Sequence, residues 1–162
     1  MSGELGDRSP DGSGSRPAAI PPRVFTLGYQ GRSVPEVLQI VQEHGIEQVL
    51  DVRENARSRK PGFSSSELEG AFQNEGIGYV HLPELGCDRE SRHALWRGAP
   101  TVEFLDRYRR KVGEPGAPLV DLLRRVQGSR TLLLCLERDA SQCHRAVLGA
   151  ELSAQGCLVE DL

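Results

Sequence analysis

Residues 23–53, RVFTLGYQGRSVPEVLQIVQEHGIEQVLDVR, carry the decision on fold. The run RVFTLGY is β-branched and aromatic and ends near a glycine, the composition of a strand. GRSVPEVLQIVQEHG follows with helix punctuation. Ser33 and Glu36 have capping-box spacing, and Pro35 sits where a first helical turn tolerates it. Val37, Ile40, Val41 and His44 fall along one helical stripe, and Gly45 supplies a stop. EQVLDVR then reads as a second strand. A strand, a helix and a strand in this span form the βαβ unit of a parallel sheet.

The same grammar continues outward. ENARSRKPGFS (54–64) is a long basic loop, and SSSELEGAFQNEG (64–76) is a helix capped by Ser64 with Glu67. IGYVHLPEL (77–85) is a third strand that leaves the sheet near Pro83. Residues 86–128 read as a loop followed by amphipathic helices over about 101–112 and 117–127. RTLLLCLE (130–137) is apolar on both faces, as a central parallel strand is. A helix over about 142–155 and a last strand, CLVEDL (157–162), complete the pattern. The expected fold is an α/β, Rossmann-like three-layer sandwich, with a mostly parallel sheet of about five strands flanked by helices. Residues 1–21, rich in Gly, Ser and Pro, are expected to be a disordered tail, and 22–162 a single domain.

Composition narrows the function classes. The 162 residues carry a formal net charge of −3, which conceals local basic runs. Residues 53–60, RENARSRK, hold three arginines and a lysine against one glutamate, so a basic face is compatible with the acidic total. No apolar run is long enough for a signal peptide or membrane span, and the expected location is cytoplasmic with reduced thiols. The four cysteines, Cys87, Cys135, Cys143 and Cys157, form no disulfide framework. The spacing of Cys135, Cys143 and His144 matches no recognised zinc pattern, so no metal and no other cofactor is expected.

In parallel α/β sheets, ligands bind outside the carboxyl ends of the strands. Those ends carry Gly28 and Tyr29, Asp51 and Arg53, His81, and Glu137. Strand alternation places Leu133, Cys135 and Glu137 on one face, with Cys135 as core and Glu137 at the edge. Cys143, His144 and Arg145 are expected in the first turn of the next helix. A helix N-terminus and neighbouring cations would activate Cys143 as a nucleophile, with His144 as base and Arg145 as anion clamp. Residues 100° apart on a helix cannot all face one ligand, so packing of Cys143 against the sheet is the competing reading.

Four stretches, TLGYQGRS (26–33), DVRENARSRKPGFS (51–64), YVHLPELG (79–86) and LLCLERDASQCHR (133–145), together resemble the family called domain of unknown function 488. The resemblance spans about residues 24–162 and implies a Rossmann-like α/β domain. It also implies signature positions at Gly28, Asp51, Arg53, Arg57, Arg59, Pro61, Phe63, Glu137, Cys143, His144 and Arg145. Cys87 departs from the motif, which usually reads glycine there.

Three functional readings follow. In the first, Gly28, Tyr29, Arg53, Arg57, Arg59 and Arg145 hold a phosphate-containing nucleotide or nucleic-acid ligand. Asp51 and Glu137 then supply carboxylate chemistry at a sugar or base, hydrolytic or by transfer, with His81 as a further acid–base group. In the second, Cys143 is the nucleophile of a thiol enzyme. In the third, the same rim senses a nucleotide or binds nucleic acid without turnover. Trp96 and Tyr108 with their flanking arginines are candidates for stacking on bases, against an ordinary buried stripe.

Overall fold

A computed structural model describes residues 19–114 and 118–162. Of the expected tail over 1–21, residues 1–18 lie outside the described residues. The five strands are β1 (Arg23–Gly28), β2 (Gln48–Asp51), β3 (Gly78–His81), β4 (Thr131–Cys135) and β5 (Leu158–Asp161). They form one sheet in the order β3-β2-β4-β1-β5, and every pairing is parallel. Among the described residues six helices flank it: α1 (Val34–Glu43), α2 (Ser65–Asn74), α3 (Arg89–Trp96), α4 (Thr101–Val112), α5 (Pro118–Arg125) and α6 (Arg145–Ala154).

Side-chain alternation on β4 explains the three layers. Leu132 and Leu134 join Phe25, Leu27 and Val49 beneath Val37 and Val41 of α1 and Leu68 and Phe72 of α2. Leu133 and Cys135 face the other way, against Tyr108 and Val112 of α4, Leu122 of α5 and Val147, Leu148 and Leu152 of α6. Both expected capping boxes form, with Ser33–Glu36 opening α1 and Ser64–Glu67 opening α2. β4 must be apolar on both sides because helices cover both.

The topology places the cleft. The chain leaves β1 and β2 towards the α1–α2 face, and leaves β3 and β4 towards the α4–α6 face. β4 lies between β2 and β1, so the connections diverge on either side of its carboxyl end. Divergence of this kind opens a crevice in an α/β sheet. Gly28 keeps the crevice floor close to β1: a Cβ there would fall 1.8 Å from the Glu137 carbonyl oxygen. Gly86 plays the same part beneath the basic loop, where a Cβ would meet the Glu54 backbone nitrogen at 2.1 Å.

Two elements differ from the sequence expectation. Residues 89–96 form a helix, α3, where the reading had a loop. Its only buried residue is Ser91, so no apolar stripe marks it, and it is started instead by Asp88 accepting from the Ser91 amide at 2.8 Å. The last helix begins at Arg145 rather than near 142. Residues 140–142 form a 3₁₀ turn capped by Asp139, and Cys143 is extended (φ −128°, ψ 148°).

Candidate functional site

The crevice at the carboxyl end of β4 holds a cavity of about 530 Å³. One wall comes from the β2 side. Asp51 is completely buried, and its carboxylate accepts from Arg53 Nε at 2.8 Å, from Arg53 Nη2, and from the Tyr79 hydroxyl at 2.6 Å. Arg53 Nη1 donates to the Tyr29 hydroxyl and to the Phe63 carbonyl, both at 2.9 Å. Burial alone would favour a neutral Arg53, but the Asp51 carboxylate reverses that and strengthens its hold on the proton. Burial, then the Asp51 charge, raise the Tyr79 phenol far above its ordinary value. His81 lies outside the cavity lining and its Nε2 contacts the Arg53 carbonyl at 2.7 Å. These residues brace the loop 54–64 against the sheet.

The second wall is cationic. The loop contributes Arg57, Arg59 and Lys60, and α3 contributes Arg89, Arg92, His93 and Trp96. Arg92 pairs with Glu54 at 3.2 Å, and Lys60 Nζ donates to the carbonyls of Tyr29 and Arg32. Arg57, Arg59 and Arg89 are exposed and form no salt bridge among the described residues. Trp96 is 65% exposed at the mouth, with its ring 5.3 Å from that of His93.

The floor is the segment after β4. Cys135, Glu137 and His144 line it, and Cys143 sits directly behind. Glu137 Oε2 lies 3.2 Å from Cys135 Sγ and 3.3 Å from Cys143 Sγ. Cys143 Sγ is 3.8 Å from His144 Nδ1, while His144 Nε2 donates to the Val52 carbonyl at 2.8 Å. Burial, then the proximity of Cys143, raise the Glu137 carboxyl above its ordinary value. Burial opposes ionisation of Cys143, but the Cys135 thiol and the His144 ring outweigh it and pull the Cys143 thiol well down. Sharing with Cys143, together with burial, holds Cys135 protonated.

Tyr29, Arg53, Arg57, Arg59, Glu137 and His144 therefore line the cavity. Asp51, Gly28 and His81 do not reach it. Arg145 does not either: it is fully buried, donating to the Glu137 carbonyl at 2.5 Å and reaching Thr26 and Asp161 at 3.3 Å. As the first residue of α6 it is turned under the β4 tail, and it positions the floor without clamping an anion. Because Cys143 precedes α6, it escapes the 100° phase limit and shares a cluster with His144. Tyr108 is buried in the α4 layer, with its hydroxyl on the Leu85 carbonyl at 2.5 Å, so it is core. Sequence reasoning missed Arg89, Arg92 and His93 as lining residues. The one available signal was the arginine density of 89–110, because α3 lacks an apolar stripe.

An all-parallel α/β sandwich with a cationic cavity at its switch point is a class, and a sequence comparison narrows it. Residues 33–152 match the family described as domain of unknown function DUF488, and the chain belongs to that family. No curated protein matches the chain in sequence. A similar solved structure is that of a candidate phosphatase (DUF442) from Shewanella putrefaciens CN-32, 14% identical, with a TM-score of 0.42 over 84% of this chain and 89% of that chain. No helix among the described residues is long and apolar enough to cross a membrane.

Proposed function

We propose that the rim cavity binds a phosphate-bearing ligand of nucleotide size and that Glu137 transfers a proton to or from it. One observation carries this reading: among the described residues, Arg57, Arg59 and Arg89 face the cavity without a carboxylate partner, and Glu137 is the only acid in its lining. Guanidinium groups bind phosphate oxygens bidentately, and each charge-assisted bond is worth about 1.5–3 kcal/mol. The exposed Trp96 ring at the mouth supports a base as the second moiety, since stacking contributes about 1–3 kcal/mol. Glu137 is half-buried, and burial with the neighbouring Cys143 raises its proton affinity, as suits a general acid or base. The reaction class is hydrolysis or transfer on a nucleoside or nucleotide. Asp51 takes no part, because Arg53 and Tyr79 occupy its carboxylate. The four free cysteines suit a reducing compartment such as the cytoplasm.

Calorimetric titration tests this with inorganic phosphate, nucleoside monophosphates and triphosphates, and a short single-stranded oligonucleotide. The combined Arg57→Ala and Arg89→Ala variant is expected to bind the preferred ligand at least tenfold more weakly, at an unchanged melting temperature. Trp96→Ala is expected to weaken nucleotides but leave inorganic phosphate unaffected. If no member of the panel binds at millimolar concentration, or the double variant binds as wild type, the reading is wrong.

A further inference from the structure

The cluster behind the cavity has the composition and spacing of a metal centre. Cys135 Sγ, Cys143 Sγ and a ring nitrogen of His144 all lie within 4.8 Å of one another, and all three residues are buried. Glu137 Oε2 stands 3.2 and 3.3 Å from the two sulfurs. Zinc bonds of about 2.3 Å to sulfur and about 2.0–2.1 Å to nitrogen or oxygen require tetrahedral edges of roughly 3.5–3.8 Å between donors. The Cys143–His144 edge, 3.8 Å, lies within a few tenths of an ångström of that requirement, and the other edges of the trio lie within 4.8 Å.

Two features around the donors point the same way. His144 donates its Nε2–H to the Val52 carbonyl at 2.8 Å, which directs Nδ1 at Cys143 Sγ, 3.8 Å away. Metal-bound histidines almost always anchor their second nitrogen in this manner. Arg145, completely buried, donates to the Glu137 carbonyl and fixes the backbone that carries the carboxylate. The half-buried Glu137 carboxylate beside the cluster has two thiols, which are weak donors, as its partners among the described residues.

We infer that Cys135, Cys143 and His144 Nδ1 bind one zinc ion, with the fourth position open on the cavity side beside Glu137. The inference goes beyond the anion-binding reading and uses none of its arginines. The sequence expectation of no metal rested on spacing along the chain. The fold brings the donors together because Cys143 is extended and precedes the helix. Two thiolates balance the charge of the dication, and Arg145 stays paired with Asp161 at 3.3 Å. All three donors are buried, so the fourth position, facing the cavity beside Glu137, is the corner open to water or ligand. Such an open corner characterises catalytic rather than structural zinc.

The test uses the full chain with Zn²⁺ and Co²⁺ alone as probes. The chelator-treated protein is expected to take up one Zn²⁺ per chain. Co²⁺ is expected to give the thiolate charge-transfer band and visible bands of tetrahedral coordination. Cys143→Ser and His144→Ala each remove a ligand and are expected to lower affinity by more than the roughly 10–100-fold that loss of an outer-shell partner costs, whereas Cys157→Ser leaves it unchanged. Should the first two variants fail to fold, alkylation of the wild type decides. Zn²⁺ is expected to protect Cys135 and Cys143 in peptide maps. No uptake, an octahedral Co²⁺ spectrum, or rapid labelling of Cys143 in Zn²⁺-treated protein would overturn the inference. The last outcome would leave Cys143 as a metal-free nucleophile. A Cys135–Cys143 disulfide in protein isolated without air would overturn it too.

Discussion

Two polar clusters meet at the rim on either side of the β2–β4 seam, and their hydrogen bonding is opposite in kind. At Asp51 every acceptor is matched: strong nitrogen and hydroxyl donors converge on one carboxylate, and the guanidinium is shared with Tyr29 and Phe63. At Glu137 the partners are two thiols, with one imidazole nearby to serve three acidic groups. A saturated buried network rigidifies a fold, and an undersatisfied one is where a protein keeps a reaction or a ligand. The first cluster therefore holds the loop that carries Arg57 and Arg59. The second forms the floor of the cavity proposed to hold a ligand.

The sharpest way to break this contrast is to remove one partner from the saturated cluster. Asp51→Asn leaves Arg53 charged and buried, and loss of one member of a buried pair costs about 3–5 kcal/mol. Urea unfolding should register that loss, whereas Glu137→Gln in metal-free protein should shift stability by about 1 kcal/mol or less. Equal losses at the two positions would erase the distinction drawn here.

A smaller effect is expected away from both clusters, at the start of α1. Ser33→Ala removes the cap of α1 and costs about 1 kcal/mol. Hydrogen bonds from the Ser33 backbone and side chain hold the Glu36 carboxyl below its ordinary value of 4.5. A depressed folded-state value means that this contribution is present above the ordinary value and fades as pH falls through the folded one. Stability curves between pH 3 and 6 should therefore be flatter in Ser33→Ala than in wild type. Parallel curves would show that the cap does not act through Glu36.

The smallest effect is expected at Cys87, a thiol near the rim but outside the cluster. Burial pushes it up to about 12, so iodoacetamide should leave it unlabelled in native protein at pH 8. Labelling of Cys87 in step with the cluster thiols would mean that their environment is not distinctive.

Much of this molecule was legible in the chain. The run 130–137, apolar on both faces, identified β4 (Thr131–Cys135) as central, and the Ser-x-x-Glu spacings located two helix starts to the residue. These signals are local, set by periodicity and backbone hydrogen bonding over a few residues. α3 was not legible, since a helix that buries only Ser91 leaves no periodic trace. The role of Arg145 was not legible either. An arginine beside a helix start reads as an anion clamp until the fold shows its side chain running beneath β4 to Thr26 and Asp161.

The sequence by itself determined the layers, the sheet's parallel sense and the gathering of polar residues at one rim. It could do so because burial on two faces and chain direction follow from residue patterns. Only the tertiary structure decided which of those residues share a site. Cys135 and Cys143 are eight positions apart, and Val52 and His144 are ninety-two apart, yet each pair meets behind the same cavity floor. That meeting depends on an extended residue before α6 and on a glycine in β1 too small to push the chain away. Neither has a meaning until strands from distant segments pair.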